Sequence, residues 1–179
     1  MVKSKKVESP KILDQKYFKL IALSIIIILG VIIYSNSFDC SFHFDDYEHI
    51  VDNKKIQDVE NVDSWWNYSK HRPLSMMTFV LNYHFHKLDV YYYHLVNLFI
   101  HISNAFLVLW FVYLLLSTPV ASSYRLSKDK FVFSFFVALL FLTHPLATQS
   151  VTYIIQRQTS MAGMFYLLAI CTYLYFRIN

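Results

Sequence analysis

The chain has 179 residues, of which 56% are hydrophobic and 18% aromatic, while only 16% are charged. This composition, with a mean hydropathy of +0.37, is far from that of a soluble domain and indicates an integral membrane protein. The net charge of +4 is small and no basic patch with interleaved aromatic residues is present, which argues against nucleic acid as a partner. Two cysteines, Cys40 and Cys171, cannot build a disulfide framework or a CxxC motif.

Four apolar segments are long enough to be membrane spans. The first covers about residues 17–38 and is interpreted as an uncleaved anchor, because no small-residue cleavage site follows it. The second covers about 90–116 and contains no formal charge. The third covers about 131–146, ending near a proline, and the fourth covers about 158–176. These segments predict an all-α membrane bundle of about four transmembrane helices, with the whole chain in a single membrane domain.

Lysine and arginine are concentrated on one side of these spans, which by the positive-inside rule is the cytoplasmic side. The N-terminus is therefore predicted in the cytoplasm. The loop of about residues 37–89 then lies outside, and it holds nine of the 12 acidic residues. The segment around 149–159 also lies outside. The basic residues that set this orientation are Lys3, Lys5, Lys6, Lys11, Lys16, Lys19, Arg125, Lys128, Lys130 and Arg177.

Two external segments are expected to form short helices that lie in the membrane interface. Residues 76–85 are an apolar cluster too short to span, and Pro73 suits the start of a helix there. Residues 147–159 place polar side chains on one helical face and apolar side chains on the other, which predicts a second such helix.

The acidic run of the external loop is the first candidate for chemistry. Asp45 and Asp46 are adjacent carboxylates, of which one could act as a general base towards an acceptor hydroxyl while like-charge proximity favours protonation of the other. They could alternatively hold a divalent cation that neutralises a phosphate leaving group. A solvated loop without a catalytic role is the structural alternative, because aspartate is common in turns.

Three basic or titratable residues are candidates to bind a phosphate. Arg72 and Arg157 offer a planar fork that matches phosphate oxygens, and His144 can add a proton or a hydrogen bond. The alternative is that the arginines are topology anchors that extend to lipid headgroups.

The second span contains a polar stripe formed by His94, Asn97, His101 and Asn104, which are spaced three, four and three residues apart. Polar groups that face lipid are costly, so the stripe is expected to face other helices or a wet cavity. The two histidines are about 10 Å apart along the helix axis, so no metal site is predicted from them.

The external loop also contains the triplet Asn67-Tyr68-Ser69, which matches an N-glycosylation acceptor. Such triplets often occur by chance, so the triplet by itself assigns no modification.

Several motifs follow one another in an order that is more informative than any of them alone. They are Phe44-Asp45-Asp46 with Ile50 and Asn53, Arg72-Pro73-Leu74, the span with the polar stripe, and His144-Pro145 through Gln149, Val151, Gln156-Arg157 and Ser160. In this order the chain resembles the N-terminal part of the GT-C membrane glycosyltransferases. The closest resemblance is to the tetratricopeptide-repeat-containing relatives of the protein O-mannosyltransferases.

The resemblance implies transfer of a sugar from a polyprenyl-phosphate donor to an acceptor hydroxyl, commonly of a protein Ser or Thr, on the non-cytoplasmic face. It implies that Asp45 or Asp46 is the catalytic base or a metal-linked acid, and that Arg72, His144 and Arg157 contact the donor phosphate. Partners would be the bilayer, the lipid-linked donor and an acceptor protein or glycan. The compartment would be a bacterial inner membrane, or the endoplasmic reticulum in a eukaryote.

The chain departs from the family pattern in two respects. Gln149 stands where many relatives have Glu, and family enzymes have many more spans, so the domain is expected to be incomplete. The alternative function is a non-catalytic membrane subunit or truncated remnant, for which the acids would be dispensable. A third is a small transporter or ion-binding bundle that uses His94, His101 and the acids.

Overall fold

The computed structural model describes residues 15–178, and their side chains from residue 17 onward. The predicted all-α fold is confirmed, since the structure is 81% helical and its described residues contain no β-strand. Lys3, Lys5, Lys6 and Lys11, on which much of the predicted orientation depends, lie outside these residues, as does the side chain of Lys16.

The described residues form a bundle of four helices, and further helices occupy the connections between them. The α-helices of the described chain are α1 (Gln15–Tyr34), α2 (Lys54–Gln57), α3 (Val62–Tyr68), α4 (Pro73–His86), α5 (Val90–Leu115), α6 (Lys130–Leu142), α7 (Gln149–Thr152) and α8 (Arg157–Ile178). One π-helical turn, Tyr47–Val51, and several 3-10 turns complete the helical structure.

Three helical segments are long and apolar enough to cross a membrane: Tyr17–Ser37, Val90–Leu115 and Ile154–Ile178. The helix α6 alone has 13 residues and a length of about 20 Å, which is short of a hydrocarbon core of about 30 Å. Arg125–Leu142 and Pro145–Thr152 together would make a fourth, broken span with a bend of 56°. The proline explains the break, because its ring cannot continue the hydrogen-bonded helix.

The helix α5 is the centre of the bundle and packs against α1, α6 and α8. The ammonium group of Lys19 lies 5.7 Å from the centre of the Phe131 ring, so α1 and α6 begin at the same end. Trp110 contacts Tyr175 with ring centres 6.3 Å apart, so α5 and α8 run parallel to each other. The apolar core between the helices contains Ile26, Ala105, Leu109, Ala138 and Leu142.

The connection between α1 and α5 is a packed structure rather than an open loop. We call residues 38–89, which include α2, α3 and α4, the cap. The predicted helix start at Pro73 is confirmed, with the proline in the first turn of α4. The cap packs on the first turns of α5 and on the segment before α8, through a buried cluster of Phe42, Ile50, Ile56, Trp65, Met76, Phe79, Val80, Tyr93, Ile154 and Ile155.

The prediction of one continuous helix over residues 147–159 is wrong. The helix α7 ends at Thr152, Tyr153 is extended with φ −101° and ψ 108°, and a 3-10 turn, Ile154–Gln156, leads into α8. The polar stripe of α5 explains the break. A ring nitrogen of His94 lies 3.1 Å from the carbonyl oxygen of Val151, and Asn97 donates to the carbonyl oxygen of Ile154 at 3.2 Å. These side chains take carbonyl groups that a continuous helix would use internally.

Gly30 allows α1 to approach α5 closely, and this contact can be tested. A Cβ atom at Gly30 would lie 3.0 Å from Cγ1 of Ile102 and 3.5 Å from Cδ1 of Leu142. Gly30→Leu should therefore lower the free energy of unfolding by about 1–3 kcal/mol through overpacking. Thermal unfolding in detergent measures the change. Gly163→Leu is the matched control, because no atom lies within 4 Å of a Cβ there, and equal unfolding temperatures for both variants would contradict the close packing.

Candidate functional site

A cleft of about 400 Å³ opens where the cap meets the segment before α8. We call it the cap cleft. Two of the predicted site residues, Asp45 and Arg72, line it although they are distant in the sequence. The polar side chains of the lining include Asp45, His49, Tyr68, Arg72, Gln156 and Gln158.

Asp45 is placed at the cleft by an unusual backbone conformation and by a contact to the break before α8. Phe44 has φ 46°, in the left-handed region that bulky residues rarely adopt. The backbone N–H of Asp45 donates to the hydroxyl oxygen of Tyr153 at 3.3 Å. The rings of Phe44 and Tyr153 also contact each other, with centres 6.5 Å apart. The side chain of Asp45 is exposed.

Asp46 has a different environment from its neighbour, because it is only 1% exposed and does not line the cleft. One carboxylate oxygen accepts from the backbone N–H of Ile155 at 2.8 Å, and the other accepts from that of His43 at 3.0 Å. Burial raises the pKa of the Asp46 carboxyl, while these two N–H groups act in the opposite direction. Asp46 therefore joins the cap to the break before α8.

The paired acids do not belong to a larger cluster of metal ligands. The described part of the chain contains no group of three or more His, Cys, Asp or Glu side chains that could hold a metal ion. A cation held jointly by Asp45 and Asp46 would compete with the two backbone N–H groups that the Asp46 oxygens already accept.

Arg72 and the aromatic side of the cleft present hydrogen-bond donors. Arg72 is exposed, and its Nη1 donates to Oε1 of Gln158 at 3.2 Å. A ring nitrogen of His49 lies 2.8 Å from the hydroxyl oxygen of Tyr68. Burial, and to a smaller extent the charge of Glu48, raises the pKa of Tyr68, so its hydroxyl stays protonated at neutral pH.

Arg157 does not line the cleft, since its side chain is 0% exposed. Its guanidinium group makes four hydrogen bonds to uncharged oxygen atoms and lies 4.3 Å from the centre of the Phe79 ring. The sequence predicted a phosphate ligand here, whereas the structure uses this side chain to join α4, α5 and α8. The acceptors are Oδ1 of Asn97 at 2.7 Å, Oδ1 of Asn82 at 2.7 Å, the hydroxyl of Thr78 at 3.2 Å and the carbonyl of Tyr93 at 2.9 Å.

His144 is also outside the cleft lining. It is exposed, and its Nδ1 accepts from the backbone N–H of Leu146 at 3.2 Å, which caps the 3-10 turn Pro145–Ala147. Of the three predicted phosphate ligands, the structure brings only Arg72 to the cap cleft.

The polar stripe of α5 is buried along its whole length. Beyond the contacts of His94 and Asn97 to the break, Nε2 of His101 lies 3.2 Å from the carbonyl oxygen of Leu142. Asn104 donates to the carbonyl oxygen of Ser160 at 3.1 Å. The stripe thus makes hydrogen bonds between helices, and two of its members, His101 and Asn104, also line a cavity.

A second cavity, of about 390 Å³, lies beside the cap cleft between α5, α6 and α8. We call it the lateral groove. Gln156 and Thr159 line both cavities, so the two are adjacent. The lining of the groove is mainly apolar, and its polar groups include Asn104, whose Oδ1 has no hydrogen-bond partner among the described residues.

Several side chains of the cleft lining and of the buried network around Arg157 were missed by reasoning from the sequence. His49, Tyr68 and Gln158 meet only through the tertiary structure and show no shared spacing. Asn82 could have been found, because Ser75, Thr78 and Asn82 form a polar stripe with spacings of three and four on an apolar helix.

Comparison with known proteins finds relatives that are named protein O-mannosyl-transferases. The chain is 33% identical over 168 residues to protein O-mannosyl-transferase Tmtc3 of Drosophila melanogaster. This match covers 80% of the present chain and 18% of that protein. It is 31% identical over 166 residues to TMTC3 of Homo sapiens, covering 83% and 16%, and 29% identical over 163 residues to human TMTC4, covering 81% and 22%. No family model and no solved structure match.

The helical membrane fold and these relatives define the class of the chain as a membrane protein related to glycosyltransferases. The chain is homologous to a segment of the protein O-mannosyl-transferases of the TMTC group, and the predicted relation to this group is confirmed. It spans less than a quarter of the length of each of these three relatives.

The structural role of Arg157 gives a prediction about stability. Arg157→Met should lower the free energy of unfolding by at least about 2 kcal/mol, because buried acceptors on α4 and α5 lose their donor. Denaturant unfolding in detergent micelles measures this change. Arg177→Met is the control, because Arg177 is exposed and its substitution should change stability by less than about 0.5 kcal/mol. Equal stability of the two variants would contradict the role of Arg157.

Proposed function

We propose that the cap cleft is part of the sugar-transfer site of a protein O-mannosyl-transferase. In this proposal a sugar moves from a polyprenyl-phosphate donor to the hydroxyl of a protein Ser or Thr. The observation that carries it is the meeting of an exposed carboxylate, Asp45, and an exposed guanidinium, Arg72, in one cleft. The names of the homologues support the reaction class. Since the chain spans less than a quarter of these relatives, other parts of such a protein would complete the site.

Asp45 is assigned as the general base. Its carboxylate takes the proton of the acceptor hydroxyl as the hydroxyl oxygen attacks C1 of the donor sugar. The new bond forms between this oxygen and C1, the bond between C1 and the phosphate oxygen breaks, and polyprenyl phosphate leaves with the electron pair. Asp46 is assigned a positioning role, because both of its oxygens are held by backbone N–H groups.

Arg72 is assigned to the phosphate of the donor. The bond that breaks leaves negative charge on a phosphate oxygen, and a guanidinium placed at that oxygen stabilises the charge as it develops. Its contact with Gln158 orients the guanidinium within the cleft. The protonated hydroxyl of Tyr68 is a further donor in the same lining.

The lateral groove suits the hydrocarbon chain of the donor. It lies among membrane helices, it is mainly apolar and it adjoins the cap cleft at Gln156 and Thr159. A lipid phosphate could therefore lie in the cleft while its chain extends between α5 and α8 towards the bilayer.

We place the protein in the membrane of the endoplasmic reticulum, with the cap cleft facing the lumen and the N-terminus in the cytoplasm. The relatives named above are animal proteins, so they do not support the expectation of a bacterial inner membrane. Residues 1–179 are proposed to form a single membrane domain that is incomplete relative to those proteins.

A non-catalytic membrane subunit is the second candidate, and the polar network of the bundle favours it. Arg157 and the polar stripe of α5 are committed to hydrogen bonds within the fold, as a scaffold requires. In that case the cleft carboxylate would be dispensable for the function of the protein.

Separate substitution of the two acids distinguishes the candidates. Asp45→Asn should abolish sugar transfer without loss of folding, because its side chain is exposed and lines the cleft. Asp46→Asn should instead loosen the cap, because an amide nitrogen would face a backbone N–H group. Transfer from a labelled polyprenyl-phosphate sugar to an acceptor peptide, measured with the full-length protein in membranes, gives the first result, and protease protection of the cap gives the second.

Arg72→Gln is the companion variant. It should raise KM for the lipid donor more than for the acceptor, because the phosphate contact is lost.

Asp63→Asn is the matched control for Asp45→Asn, because Asp63 is an exposed acid of the cap that does not line the cleft. Full transfer by a folded Asp45→Asn variant would refute the assignment of the base and favour the subunit.

A further inference from the structure

The triplet Asn67-Tyr68-Ser69 in the cap is an acceptor sequence that the proposed sugar transfer to another protein does not use. It meets the requirement for N-linked glycosylation, which is an Asn followed by any residue except Pro and then by Ser or Thr. The same triplet within a membrane span or in the bundle core would be inaccessible. The structure places Asn67 on the surface, where its side chain is exposed.

The local structure leaves the triplet available to an enzyme. Asn67 lies in the last turn of α3, a helix of seven residues, and Ser69 already has non-helical angles of φ −128° and ψ 78°. A helix of this length is only marginally stable by itself. The Asn67 amide donates to the carbonyl oxygen of Asp63 at 2.8 Å, and an amide nitrogen has two N–H groups.

The position of the triplet relative to the cleft decides which compartment it faces. Tyr68 and Ser69 line the cap cleft together with Asp45, so Asn67 lies on the same side of the membrane as the cleft. It is separated in sequence from the end of α1 at Tyr34 and from the start of α5 at Val90 by more than 20 residues on each side. N-linked glycans are added in the lumen of the endoplasmic reticulum, which is where the proposed function places the cleft.

We propose that Asn67 carries an N-linked glycan at the rim of the cap cleft, an inference that rests on the lumenal orientation of the proposed function. The donor is an oligosaccharide on a lipid diphosphate. The amide nitrogen of Asn67 attacks C1 of the first sugar, the N–C1 bond forms, and the bond between C1 and the diphosphate oxygen breaks. The lipid diphosphate leaves with the electron pair, and the amide proton passes to a base of the glycosylating enzyme.

Gel mobility of the full-length protein from eukaryotic cells tests the site. The native protein should migrate one glycan step more slowly than Asn67→Gln, and an endoglycosidase that removes N-linked glycans should abolish the difference. Ser69→Ala keeps the asparagine but should lose the same step, whereas Ser69→Thr should keep it. Equal mobility of the native protein and Asn67→Gln before glycosidase treatment would overturn the proposal.

A second variant separates this proposal from the orientation on which it depends. Val120 is 76% exposed in the turn between α5 and α6, at the opposite end of the bundle, and Val120→Asn creates an Asn-Ala-Ser triplet there. No additional glycan step is expected from it. A step gained with Val120→Asn would overturn both the glycan at Asn67 and the lumenal cleft. If the native protein carries no glycan step at Asn67 and Val120→Asn gains none, the glycan is overturned and sugar transfer is left to be decided by Asp45→Asn.

Discussion

The arrangement of the end of the bundle that carries the cap depends on one buried cation, the guanidinium of Arg157. Removing such a group from water costs several kcal/mol, and hydrogen bonds in a dry interior must offset that cost. Its acceptors are side-chain oxygens of α4 and α5 and a backbone carbonyl of α5. The start of α8 can therefore lie only where these oxygens converge. The adjacent residues Ile154 and Ile155 are thereby held against the cap, and Asp46 accepts the N–H of Ile155.

This constraint gives two neighbouring acids different environments. Asp46 turns inward to a backbone N–H that Arg157 helps to position, whereas its neighbour Asp45 is exposed and lines the cleft. The left-handed conformation at Phe44 belongs to the same arrangement, since the Asp45 N–H and the Phe44 ring both contact Tyr153. A charge with no access to the cleft therefore shapes the cleft through the backbone that it holds.

Predictions from the sequence succeeded where the physical cause is local. The all-α membrane fold follows from apolar length, and the start of α4 at Pro73 follows from the fixed φ angle of proline. The stripe on α5 was visible as a helical spacing. Its partners were not visible, because the carbonyls of Val151 and Ile154 lie more than 50 residues away in the chain. The uninterrupted amphipathic pattern over 147–159 was therefore misleading.

The sequence by itself determined the membrane class, the long helices and the candidate residues, because hydrophobicity, periodicity and proline geometry act over one or two helical turns. Only the tertiary structure decided that Arg157 is a buried structural cation, that His144 caps a turn and that Asp45 and Arg72 share a cleft. An arginine at the end of a membrane span can have the same sequence neighbours whether its guanidinium binds a phosphate or a set of buried amides. The difference is made by Asn82 and Asn97, which are brought to it by packing of α4 and α5.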